Sequence, residues 1–140
     1  MKWTKLFVLA AGPVFLLVAA SLLAVAQDDK APTIKQVMGK LHKGGTSSIA
    51  QLKTQLSAPS PNWETIQKTT KDFVILGAAL AKNDPPKGSK ESWQKLADTY
   101  FQNAKALDDA AKAQDLAAAR AAHKRLQSSC KACHGAHKGG

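Results

Sequence analysis

The sequence predicts an all-α protein folded as an antiparallel four-helix bundle. Apolar residues recur at steps of three and four through most of the chain after residue 32, and no segment alternates apolar and polar residues as a half-buried strand does. Breaks rich in proline and glycine divide this pattern into four segments. Four amphipathic helices joined by short loops bury their apolar stripes most simply against one another in an up-down-up-down bundle.

The four predicted helices span about residues 33–56, 62–82, 89–113 and 115–137. Each begins at a side chain of a type that commonly caps helices: Thr33, Asn62, Ser89 or Ser92, and Asp115. Gly44 and Gly45 are expected to bend or interrupt the first helix. The boundary between the last two helices lies in an alanine-rich stretch, where we place a turn near Gln114.

The N-terminal segment has the order of a secretory signal peptide. Lys2 and Lys5 precede an uncharged run that ends in Ala24-Val25-Ala26, and polar residues follow directly. We therefore expect residues 1–26 to be a signal peptide cut after Ala26, and residues 27–140 to form one exported, periplasmic domain. The alternative is an uncleaved membrane anchor, since 21 residues without a charge could span a bilayer.

The net charge of +10 and the pI near 9.8 suggest an anionic partner. The only arginines are Arg120 and Arg125, and the lysines are scattered at irregular intervals without a compact basic block. A nucleic-acid groove favours clustered arginines with interleaved aromatic residues, so no nucleic-acid partner is expected. Acidic periplasmic redox proteins are the partners we expect instead.

The strongest chemical signal is Cys130-Lys131-Ala132-Cys133-His134, which has the Cys-x-x-Cys-His spacing of c-type haem attachment. On a helix, residues three apart face the same way, so both thiols can meet the two vinyl groups along one haem edge. His134 follows directly and is placed to be the proximal iron ligand. The motif predicts one covalently bound haem c.

Two other interpretations of these residues compete with haem. Cys130 and Cys133 could form a disulfide or a thioredoxin-like redox pair, although such a pair usually opens a helix after a strand. Alternatively Cys130, Cys133, His134 and His137 could bind zinc, although closing four ligands from one helix around one ion is geometrically awkward.

With its leader, four predicted helices and a haem motif in the last turns, the chain resembles the class II cytochromes c, the cytochrome c′ family, over residues 33–138. In that family a methionine on the first helix lies over the distal haem face, and Met38 is the matching position. The resemblance implies low-spin ligation by this methionine or a five-coordinate iron with an apolar distal face, and it implies a candidate homodimer formed through the first two helices. Relatives typically follow the motif with an aromatic residue and an arginine, where this chain has His137 and Lys138.

Three assignments of the distal iron position stay open: Met38, His42 or no protein ligand. Met38 is either the sixth ligand or a flexible core filler. His42 lies one turn further along and is the alternative ligand, which would give a lower potential than methionine. His123 precedes His134 by eleven residues, roughly 16 Å along one helix, too far to share one iron.

The haem motif predicts a protein that carries single electrons. We expect that it is not an enzyme, because no nucleophile, base and orienting group are recognisable together. The alternative function is a five-coordinate cytochrome c′-like protein that binds NO or CO as a scavenger or sensor. A zinc-binding helical module is the third hypothesis.

Overall fold

The computed structural model describes residues 30–138, and the expected signal peptide with its cut after Ala26 lies outside them. These residues form five helices and no strand, so the all-α class is confirmed for this part of the chain. The helices are α1 (Ile34–His42), α2 (Ser48–Ser57), α3 (Trp63–Leu80), α4 (Lys90–Lys112) and α5 (Leu116–His137). Within the same residues, no helix combines the length and the apolar character that crossing a membrane requires.

The first predicted helix, residues 33–56, is wrong as a single element because the structure divides it into α1 and α2. Gly44 adopts a φ of +86°, which glycine reaches without the Cβ clash that other residues suffer. The backbone N–H of Ser47 donates to the Gly44 carbonyl at 3.2 Å and closes the turn. The chain therefore changes direction at the glycine pair instead of only bending there. The other three predicted helices end within two residues of the observed bounds.

The predicted N-caps explain why the helices begin where they do. Thr33 and Gln36 form a capping box, in which each side chain bonds the other residue's backbone N–H. Asn62, Ser89 and Asp115 each accept a backbone N–H three residues ahead. The turn before α5 lies at Gln114, whose φ is +54°, so the predicted turn is also confirmed.

The core is built around α4, which packs along both α3 and α5, while α2 packs against α1, α3 and α5. Large fully buried side chains fill the centre: Phe73, Leu41, Leu52, Ile66, Leu107 and Leu126. Helices α4 and α5 are in extensive contact, and both contain buried alanines, whose small side chains let helices approach closely; they include Ala104, Ala111, Ala119 and Ala122. Among the described residues α1 and α5 do not pack directly on each other, and a cavity lies between them.

Candidate functional site

The cavity between α1 and α5 has a volume of about 750 Å³, and α4 forms its third wall. Most of its lining is apolar: Ile34, Met38, Leu80, Trp93, Leu96 and Ala97. Cys130, Cys133 and His134 line it from α5. The size and the apolar lining with a few convergent polar groups are typical of a cofactor or ligand site.

The motif residues share the cavity wall because they lie at i, i+3 and i+4 of α5. Both cysteines are half-buried free thiols, and His134 is exposed at the cavity edge. Burial raises the pKa of Cys130 and of Cys133. A redox-active pair needs the opposite shift, since the thiolate is the nucleophile. The environment therefore argues against the redox-pair interpretation.

The α1 wall faces the motif with Met38, Gly39 and His42. Met38 is half-buried and packs on the edge of the hydrophobic core, so its position is compatible with either predicted role. Gly39 has no atom within 4 Å of the place where a Cβ would stand, so this part of α1 leaves open space toward the cavity.

His42 is held by contacts that the sequence did not reveal. Its Nε2 lies 2.8 Å from the Tyr100 hydroxyl, and its ring makes edge contacts with Phe73 and Tyr100 at centroid distances of 5.7 and 5.8 Å. Burial, with a smaller contribution from the charge of His134, lowers the pKa of His42 to about 4. Burial raises the pKa of Tyr100. Both partners are therefore neutral at pH 7, and one proton of the pair forms the hydrogen bond between them.

Tyr100 is a lining residue whose role sequence reasoning missed. Its ring is buried, it lines the cavity, and its hydroxyl forms a hydrogen bond with His42. Gly77 makes room for it, because a Cβ there would lie 3.1 Å from Tyr100 Cε1. The available signal was the hydroxyl itself, since a buried tyrosine O–H usually has a hydrogen-bond partner.

His137 is buried, with 2% of its surface exposed, and it lines the cavity at the end of α5. Its Nδ1 donates to the Lys87 carbonyl at 2.8 Å, and its Nε2 lies 3.1 Å from the Ser92 hydroxyl. The ring also meets Trp93 edge-on at 5.4 Å. These bonds fasten the last turn of α5 to the loop before α4. Both ring nitrogens of His137 are thus engaged, and no three metal-ligating side chains cluster anywhere in residues 30–138.

We expect His137→Ala to lower the free energy of unfolding of the haem-free protein by about 2–4 kcal/mol, through two lost hydrogen bonds and a cavity beside Trp93. Urea denaturation measures the change. His134→Ala is the matched control, because His134 is exposed on the same helix and its loss should cost no more than about 0.5 kcal/mol. Equal effects of the two substitutions would contradict the bracing role of His137.

His123 is buried and is not part of the cavity wall. Its Nε2 has no hydrogen-bond partner, and burial lowers its pKa.

The residues present fit a covalently bound haem. Two protonated thiols at helical spacing and one imidazole line the same apolar cavity, and α1 leaves open space at Gly39 on the opposite wall. Thiols that form thioethers and an imidazole that ligates iron are the donor set of a c-type haem. The same residues do not fit a four-ligand zinc site, because both ring nitrogens of His137 already form hydrogen bonds with Lys87 and Ser92.

Comparison with known families gives one match. A family model described as cytochrome C′ matches residues 88–138, which cover the loop end before α4, all of α4 and α5, and the Cys-x-x-Cys-His motif. No curated protein matches the chain. No solved structure matches it either.

Proposed function

Because a family model described as cytochrome C′ matches residues 88–138, we propose that this chain is a periplasmic c-type cytochrome that binds one haem covalently and carries single electrons. The observation that carries the proposal is the shared placement of Cys130, Cys133 and His134 on one wall of an apolar cavity.

In this proposal the two thiols of Cys130 and Cys133 form the thioether bonds, and His134 is the proximal iron ligand. When bound, the haem supplies reversible one-electron chemistry at its iron. The apolar walls from α1 and α4 limit the access of water, and the α5 helix keeps the imidazole next to both points of attachment. No residue is required to move a proton or attack a substrate, so we propose that the protein is not an enzyme.

For the distal side we propose Met38 as the iron ligand. His42 is the weaker candidate because its Nε2 already bonds the Tyr100 hydroxyl, and this bond would have to break for Nε2 to ligate. Met38 has no competing polar contact among the described residues, and its thioether lies on the cavity wall opposite the motif.

We also propose how the helices are arranged, where the protein is located and how two copies associate. The helices pair as an antiparallel four-helix bundle in which α1 and α2 together take the place of the first helix. Residues 1–26 direct export and are cut after Ala26. A homodimer would form through the first two predicted helices, which correspond to α1, α2 and α3. A membrane association is proposed only for a chain whose leader stays uncleaved.

The second candidate function, binding of NO or CO at a five-coordinate iron, is favoured by the His42–Tyr100 pair. One of the two protons of the neutral pair is left free in either tautomer, and His42 and Tyr100 both line the cavity. A donor of this kind could stabilise a small polar ligand. This function requires that Met38 does not ligate.

Absorption spectroscopy of the protein made in a host that matures c-type cytochromes tests the proposal. We expect a low-spin wild type that becomes high-spin and binds CO after Met38→Ala, because removal of the thioether opens the sixth position. His42→Ala is the control and should leave the wild-type spectrum low-spin. A wild type that is already five-coordinate and binds CO would favour the second function, and a colourless protein that contains zinc would contradict both.

A further inference from the structure

The acidic side chains of the described residues are distributed unevenly among the helices. All eight are in α3, in α4 or in the loops that flank α4: Glu64, Asp72, Asp84, Glu91, Asp98, Asp108, Asp109 and Asp115. Helices α1, α2 and α5 contain none. Since α2 packs on both α1 and α5, these three helices are contiguous, and none of them has an acidic residue within its own bounds. Asp72 of α3 pairs with Lys40 at the edge of α1, and Asp115 caps the start of α5.

The cavity lies between two of these helices, α1 and α5. Exposed Lys35 and Lys43 line it from the α1 side and exposed Lys138 from the end of α5, and we call these three lysines the basic rim. The salt bridges within residues 30–138 involve Lys40, Lys90, Lys105 and Lys112, so no rim lysine is paired there. Further positive charges continue along the exposed side of α5: Lys124, Arg125 and Lys131. Three lysines that are far apart in the sequence thus line one cavity.

We propose that the face formed by α1, α2 and α5 is a docking surface for an acidic redox protein, and that the basic rim places the electron path at the cavity opening. This inference rests on the proposed electron-carrier function. Unpaired charges of one sign around a cavity attract an oppositely charged partner and orient it before contact. Docking through α4 is disfavoured by comparison, because its four lysines are balanced by four acidic side chains and it offers an acidic partner no net attraction.

Three other occupants fit this face less well. A second copy of the chain, docked through the basic rim and α5, would bring two positive surfaces together. A membrane-binding helix presents apolar side chains beside its basic ones, yet the large hydrophobic residue exposed among residues 30–138 is Ile75, on α3. A nucleic-acid surface needs aromatic side chains for stacking, and the described residues of α1, α2 and α5 include none besides histidine.

Stopped-flow oxidation of the reduced holoprotein measures how strongly the basic rim attracts a charged oxidant. One electron passes from the ferrous protein to hexacyanoferrate(III), which has a charge of 3− and becomes hexacyanoferrate(II). In Lys35→Glu/Lys43→Glu/Lys138→Glu we expect the second-order rate to fall at least about tenfold at low ionic strength. With tris(phenanthroline)cobalt(III), a cationic oxidant, the same variant should react faster than the wild type. Both differences should nearly vanish at about 1 M salt, where the Debye length is about 3 Å.

The matched control is Lys68→Glu/Lys71→Glu/Lys95→Glu, which makes the same change in net charge with exposed lysines of α3 and α4. Its rate should change much less than that of the rim variant. Equal changes in the two variants would overturn the proposal, because net charge alone would then control the encounter. Rim-dependent binding of the wild type to phosphatidylserine vesicles at about 0.15 M salt would also overturn it in favour of a lipid surface. A protein without a haem spectrum contradicts the proposed function before any of these rates is measured.

Discussion

A Cys130→Ser/Cys133→Ser variant, made in a host that attaches haem to exported proteins, is expected to carry no covalent haem. Each thiol supplies one of the two thioether bonds, and serine cannot form them. Because His134 alone would leave the cofactor held by coordination and apolar contacts, denaturation should release it completely. Mass spectrometry and haem staining after denaturing electrophoresis measure this loss, and the wild type should keep its haem in both.

Two matched variants separate attachment from folding. Lys131→Ala changes an exposed residue between the cysteines and should keep the full haem content. His134→Ala keeps both thiols and should keep covalent haem but lose the normal proximal ligation in its absorption spectrum. Haem that stays on the double variant through denaturation would contradict thioether attachment at these cysteines.

The features of the fold that are local in sequence could be predicted from it. Thr33, Asn62 and Asp115 each bond a backbone N–H three residues ahead, so their effect depends only on neighbouring residues. The haem motif is local in the same way, since the helix alone brings Cys130, Cys133 and His134 to one face. The break at Gly44 was recognised, but its size depends on how α2 packs on α5, which no local pattern states.

The features that depend on distant residues could not be predicted. The hydrogen bond between His42 and Tyr100 joins residues 58 positions apart, and the bond from His137 to the Lys87 carbonyl joins residues 50 apart. A histidine at helical spacing can point to a ligand, to solvent or to another helix, and the packing alone decides. The grouping of Lys35 and Lys43 with Lys138 is equally non-local, because these lysines line one cavity only after α1 and α5 are assembled.

Acid is expected to destabilise the haem-free protein through His42. Burial lowers the pKa of His42 from 6.5 to about 4 in the folded protein. Between pH 6.5 and pH 4 the unfolded chain therefore binds a proton at this imidazole, whereas the folded chain does not. Stability is therefore unaffected above about pH 6.5 and falls as the pH decreases toward 4. The lowered pKa of His123 acts in the same direction.

The expected loss from His42 is about 2 kcal/mol between pH 7 and pH 4.5, since one pKa unit corresponds to about 1.36 kcal/mol and part of the ring still faces the cavity. Urea denaturation of the Cys130→Ser/Cys133→Ser protein at both pH values measures it. Adding His42→Gln should remove most of this pH dependence. Adding His134→Gln should leave most of it, because burial outweighs the charge of His134 in lowering the pKa of His42. If His42→Gln left the pH dependence unchanged, the imidazole would be in water instead of in contact with Phe73 and Tyr100. His42 would then not be part of the α1 wall of the cavity.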